Sequence, residues 1–243
     1  MHAQWYFGDK LVFWIDPKLL RRRLLDRVSA DGADFWLSDR FLDGADWSAV
    51  IRPVEDLAEH RDMLQLVTYG ARYPEMPLFR EFASRIRSGQ PPKRYGKILD
   101  DEDKLHAYFR YFLQLADNIR EHGFQQQSAL PTRPAEGVEV RGRWAARQRN
   151  IGVAIASNGE VLRFLGGRHR TAIAQALSLP AVAVEVRLVH AGWLTLQMIR
   201  RGHSPAEALL EWIRARPSPA LAGGEGSSQP ASENTVKLQK RLE

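Results

Sequence analysis

The sequence predicts an α+β protein, and two observations carry that class. Residues 151 to 190 read as strand, turn, strand, Gly-Gly, helix, strand, a compact unit in which hydrophobic periodicity switches from two to about 3.6 residues and back. Upstream, a stretch rich in aromatic and β-branched residues that reads as one or two strands precedes a mostly helical region.

Taken in order, "QWYFGDKLVFWID" is rich in aromatic and β-branched residues and ends at Pro17, so it predicts one or two strands. "PKLLRRRLLDRV" predicts a short basic amphipathic helix, whose Arg21, Arg22 and Arg23 suit either a solvated face or a phosphate contact. "DGADFWLSDRFLDGADWSAV" predicts loop and turn structure packed by Phe35, Trp36 and Trp47. Two helices are expected in "PVEDLAEHRDMLQLVTYG" and "MPLFREFASRIRSG", each closing on a glycine. "QPPKRYG" is the expected domain boundary, separating a mainly helical region with initial strands, residues 1–95, from a second domain, 96–195. "DDEDKLHAYFRYFLQLADNIREHGF" sets Leu105, Tyr108, Phe109, Phe112, Leu115, Ala116 and Ile119 at helical spacing, with acidic residues Asp100 to Asp103 at its positive end and Gly123 as the stop. Residues 125–150 form a Pro-, Gly- and Arg-containing stretch in which Arg141, Arg143, Arg147 and Arg149 surround Trp144, a composition open to solvent, phosphate or nucleic acid. The closing unit has strands "NIGVAIAS" and "EVLRFLG" joined at Asn158-Gly159, a helix "RHRTAIAQALSL" and a last strand "AVAVEVRLVH". Two C-terminal helices, 196–216, follow, the second opening on a Ser204-to-Glu207 capping signature, and the Pro-, Gly- and Ser-rich tail, 217–243, is expected to be disordered.

Bulk composition narrows the function. With 44% hydrophobic residues in 243, the chain has material for a substantial core. The absence of cysteine removes disulfides, thiolate metal sites and cysteine nucleophiles. No signal-peptide pattern opens the chain, and no apolar run approaches the roughly 20 residues of a membrane span, so a cytoplasmic protein without a membrane span is expected. A net charge of +6 suits phosphate-bearing partners, nucleotide or nucleic acid alike.

The Gly-Gly junction sharpens that expectation. Gly166 and Gly167 lack Cβ atoms, so the backbone can approach a ligand closely, and the following helix start directs its unpaired N–H groups at the same place. Arg168, His169 and Arg170 sit at the positive end of that helix, where their charges oppose the dipole unless an anion offsets them. A phosphate site is the expectation; a structural glycine turn is the alternative.

"FLGGRHRTAIAQAL" resembles the phosphate-binding signature of the ParB/sulfiredoxin superfamily, which reads Gly-Gly-Cys-His-Arg in sulfiredoxin and Gly-Glu-Arg-Arg in ParB. "LADNIREHGF" is similar to the helix before that superfamily's first strand, and "LPAVAVEVRLVH" to its closing strand, so the likeness covers about residues 100 to 190. Arg168 stands where sulfiredoxin has its catalytic cysteine, which excludes that repair chemistry, and Ala172 stands where ParB carries a further arginine. A third relative, an ADP-dependent kinase of free serine, transfers phosphoryl to a small hydroxyl. The resemblance therefore implies a small mixed sheet with helices, ATP or ADP with Mg²⁺, and a small hydroxyl-bearing acceptor (sugar, polyol or amino acid). It implies phosphates held at Gly166 and Gly167, Arg168 and Arg170 neutralising charge, His169 orienting oxygens and Thr171 donating its hydroxyl. Glu102 or Asp103 is the expected carboxylate base, with His190 a second candidate that ordinary packing beside Trp193 explains better. The alternative from another class is a ParB-like nucleic-acid-binding or nuclease-like module, although no DNA-reading helix-turn-helix is legible after residue 190.

Overall fold

The computed structural model describes residues 7–30, 33–94, 96–125 and 150–216. The arginine cluster at 141–149 and the tail from 217 lie outside the described residues. The class is α+β, with six α-helices among the described residues.

The central sheet takes strands from both ends of the chain. It is built from β1 (Val12–Ile15), β2 (Arg22–Leu24), β5 (Leu42–Asp43), β6 (Ile51–Pro53), β9 (Ile151–Ile155), β10 (Val161–Arg163) and β11 (Val182–His190), in the order β1-β11-β9-β10-β2-β6. β1 runs antiparallel along the first half of β11, and β5 continues the same edge in parallel at Val189 and His190. β9 is buried along its whole length, and only Arg187 and His190 break the burial of β11, as expected of strands covered on both faces. The turn between β9 and β10 is set by Asn158, whose side chain accepts from the Glu160 amide at 3.0 Å, and by Gly159 at φ +82°.

Residues 17–28 do not form the expected helix. Pro17–Leu19 is a 3₁₀ turn capped by Asp16, β2 follows, and β3 (Arg27–Ala30) pairs with β4 (Ala33–Trp36) in a separate hairpin. Leu20 and Leu24 are buried and Leu19 exposed, a pattern set by docking on the sheet rather than by a helical stripe. The backbone groups of β2 find partners in β10 and β6, so long-range pairing overrides local helix propensity. Residues 31–50 likewise contain strand, and of the aromatics expected to pack there Trp47 is buried while Trp36 is exposed.

The first 95 residues are therefore not a helical wrapper: they give four strands to the sheet, together with α1 (Ala58–Tyr69) and α2 (Pro77–Arg87). At the expected boundary near residue 95 stands a small hairpin, β7 (Lys93–Arg94) with β8 (Lys97–Ile98), while the sheet crosses that boundary uninterrupted. The helix expected after residue 100 is α3 (Glu102–His122), with Asp101 as N-cap and Gly123 as C-cap. Arg168–Ala176 forms α4, Ala191–Arg201 forms α5, and Pro205–Arg214 forms α6 with the expected Ser204/Glu207 capping box. One face of the sheet packs Val153, Ile155 and Val184 against Trp193 and Leu209, and the other packs Leu162, Phe164 and Leu188 against Leu24 and Trp47. A third cluster, with Met63, Leu66, Phe79, Phe109, Phe112 and Ile173, joins α1, α2 and α3 to α4 and fixes the helix start described next.

Candidate phosphate site

The β10–α4 junction is a run of three residues with positive φ, Leu165 (+52°), Gly166 (+66°) and Gly167 (+70°). Leucine adopts this region at a steric cost, and surrounding contacts hold it there. The Gly152 amide donates to the Leu165 carbonyl at 3.1 Å, and the Phe164 amide donates to the Gly152 carbonyl at 2.8 Å. A Cβ on Gly152 would stand 2.2 Å from both the Phe164 and Leu165 carbonyl oxygens; one on Gly167 would stand 2.7 Å from Ile151 Cγ1 and 2.9 Å from its Cα. Two glycines thus let the loop lie directly on β9, with Gly167 as the N-cap of α4. Glycine offers no side-chain oxygen to the first-turn amides, and those amides have no acceptor within the helix.

Three arginines, Arg163, Arg23 and Arg168, converge on this point. Arg163 of β10 faces Arg23 of β2, which faces Arg52 of β6, so three guanidiniums share one face of adjacent strands. At about 4.8 Å per strand the row spans about 10 Å. Arg163 is 8% exposed, donates from Nη1 to the Gly166 carbonyl at 3.3 Å, and has no hydrogen-bond partner for Nε among the described residues. Nε of Arg23 is likewise buried and unpartnered. Burial, and then the charges of Arg23 and Arg168, push the Arg163 guanidinium down to about 10, with Glu59 opposing. Arg168 completes the group from the helix start, paired with Glu59 of α1 at 3.0 Å.

Glu59 lies within electrostatic reach of Arg23, Arg163 and Arg168. Burial works to raise its carboxyl, yet hydrogen bonding to its own backbone amide and the charges of Arg168, His169 and Arg94 hold it below its ordinary value. His169 packs on Phe112 with ring centroids 4.6 Å apart. Burial, helped by Arg168, Arg170 and Arg163, lowers its imidazole to about 4, so it is neutral at pH 7.

Compared with models of known protein families, with curated proteins and with solved structures, the chain matches none.

The expected site residues divide. Gly166, Gly167, Arg168 and His169 come together. Arg170 does not join them: its guanidinium lies 5.8 Å from the Phe124 ring and within electrostatic reach of Tyr111, turned about 200° around α4 from Arg168. The Thr171 hydroxyl is buried and donates to the Gly167 carbonyl at 2.9 Å, so it closes the first helical turn instead of meeting a ligand. Glu102 and Asp103 open α3, ten residues or about 15 Å along that helix from the Phe112 that touches His169, and Glu102 is exposed beside Arg87. His190 lies at the far end of β9, about 13 Å of strand from the loop. Its Nδ1 accepts from the Gly192 amide at 3.1 Å and its Nε2 stands 3.2 Å from the Ala45 carbonyl, so it caps α5 and packs on Trp47 at 5.0 Å.

Sequence reasoning missed Arg163, Arg23 as its partner, and Glu59. Arg163 carried a legible signal, a charge in the middle of the apolar run "VLRFL"; Glu59 carried none. Among the described residues, no group of three or more His, Asp or Glu side chains could hold a metal ion. A magnesium ion would fit here only as one carried by phosphate oxygens and water.

Proposed function

We propose that the β10–α4 junction binds the phosphates of a nucleotide, and that the protein is an ATP- or ADP-dependent phosphotransferase of ParB/sulfiredoxin-like type acting on a small hydroxyl-bearing acceptor. The observation that carries this is Arg163: a guanidinium 8% exposed, with an unpartnered Nε, beneath a glycine-capped helix start and beside Arg23 and Arg168. Burying a cation without a carboxylate against it is costly, and an anion arriving at the loop offsets that cost.

In this reading Arg163, Arg23 and Arg168 neutralise phosphate charge, and the first-turn amides of α4 supply oriented donors. Arg168 exchanges its Glu59 partner for phosphate, and the freed carboxylate accepts the acceptor's hydroxyl proton in place of Glu102, Asp103 or His190. Neutral His169 donates one hydrogen bond from its ring. Magnesium supplies charge neutralisation between phosphates when bound. A cytoplasmic setting belongs to the proposal, supported by a chain free of cysteine.

Calorimetric titration with ATP, ADP, CTP and GTP, with and without magnesium, tests the site. At least one binds, and Arg168→Ala weakens it about tenfold or more. No binding across the panel removes the proposal. Nucleotide consumption with pooled sugars, polyols and amino acids then tests transfer. The in-register row Arg163, Arg23 and Arg52 favours a second reading, in which a nucleic-acid backbone lies across the sheet. Steeply salt-dependent binding of single-stranded oligonucleotide, without nucleotide consumption, would install it.

A further inference from the structure

Between α1, the 3₁₀ turn at Pro17–Leu19 and the flank of α4 lies a cleft of about 390 Å³ lined by Lys18, Arg21, Glu55, His60, Leu64 and Gln175. Its wall is fixed: Gln175 Nε2 donates to the Pro17 carbonyl at 2.8 Å and the Leu20 carbonyl at 3.3 Å, tying the turn to α4. The unexplained group is His60. Its side chain lines the cleft, the residue is only 3% exposed, and its ring makes no hydrogen bond to any described residue. Its ring is not sealed from solvent, so the imidazole opens into the cleft, where an arriving polar group can replace water.

The lining specifies that partner's chemistry. Burial lowers the His60 pKa, with Glu55 opposing and Arg163 reinforcing, so the ring is neutral at pH 7 and offers one donor and one acceptor. A hydroxyl, itself donor and acceptor, complements it. At the mouth Lys18 and Arg21 outnumber Glu55, leaving one net positive charge for a monoanion. The volume, near the small end of ligand pockets, admits a small organic acid with room to spare. We propose that this cleft binds a small hydroxycarboxylate, its hydroxyl against His60 and its carboxylate toward Lys18 and Arg21. His60 lies within reach of the Arg163 charge, which makes this molecule the candidate acceptor of the proposed transfer. That last assignment rests on the phosphotransferase reading; occupancy of the cleft does not.

The test is calorimetry without nucleotide, titrating D-glycerate, L-malate and D-gluconate, with propionate lacking the hydroxyl and glycerol lacking the carboxylate. At least one hydroxycarboxylate binds, tenfold or more tighter than either control. His60→Leu abolishes that binding while its melting temperature holds, because the ring makes no hydrogen bond that the rest of the fold depends on. Lys18→Gln/Arg21→Gln, at exposed positions that do not threaten folding, weakens it at least tenfold. Absence of binding by all three hydroxycarboxylates, or unchanged binding in either variant, overturns the proposal. The nucleotide panel separates the two readings: if nucleotide binds and no hydroxycarboxylate does, only the cleft proposal falls, and the converse result removes only the phosphate site.

Discussion

Replacing Gly167 by alanine adds a methyl group at φ +70°, 2.7 Å from Ile151 Cγ1 and 2.9 Å from Ile151 Cα. Gly202, the C-cap of α5, has nearly the same φ, +67°, but a Cβ there would meet nothing within 4 Å. The two substitutions share a backbone term and differ in contact. Left-handed backbone costs an L-residue roughly 1–2 kcal/mol, and the stiffer unfolded chain returns about 0.4–1 kcal/mol. Gly202→Ala should therefore destabilise by about 1 kcal/mol. Gly167→Ala adds overpacking against a β-branched side chain and the backbone of a fully buried strand, about 1–3 kcal/mol more. Its total is about 2–4 kcal/mol. Urea unfolding followed by circular dichroism, at constant m, measures both. Moving Ile151 to relieve the clash shifts the loop from β9, so nucleotide binding should weaken in Gly167→Ala alone. Equal destabilisation by the two variants would refute the account, because the close approach of loop and strand would then carry no energy.

Three further outcomes follow from the site. His169 titrates near 4 in the folded protein against an ordinary 6.5, and His60 is lowered too, so the unfolded state binds more protons as pH falls and stability drops. His169 alone should contribute a loss of about 2 kcal/mol between pH 7.5 and 5, and urea unfolding across that range should show a shallower dependence in His169→Gln. Arg163→Met should hold or raise the melting temperature while weakening nucleotide binding by about 1.5–3 kcal/mol, since it removes a buried charge whose Nε has no partner among the described residues. Differential scanning calorimetry beside isothermal titration checks both halves, and a collapse in stability would show Arg163 to be structural. Glu59→Gln should bind nucleotide at least as tightly as the wild type, because a competing carboxylate leaves Arg168, yet lose turnover in a coupled nucleotide-consumption assay. Retained turnover would exclude Glu59 as the base.

The parts legible in the sequence are those governed within one segment. Asp101 and Gly123 bound α3, Ser204 and Glu207 open α6, and Asn158-Gly159 turns the β9–β10 hairpin, each where local capping and turn chemistry demand. The glycine-rich helix start was legible for the same reason: its positive φ values and its misplaced cations both concern neighbours in the chain. The stretch 17–28 failed because its leucine spacing fits a helix as well as a strand docked between β10 and β6.

By itself, then, the sequence determined the α+β class, the positions of the helices from residue 58 onward, and the glycine-rich helix start at Gly166-Gly167. Only the tertiary structure decided which side chains surround that loop. Glu59 reaches Arg168 across 109 residues of chain, and Arg23 meets Arg163 only because β2 enters the sheet beside β10. It also separated Arg170 from Arg168 and left Glu102 at the wrong end of α3. The physical reason is range: capping, turns and periodicity act over a few residues, whereas strand pairing and the desolvation of a charge depend on segments the chain brings together only when the core closes.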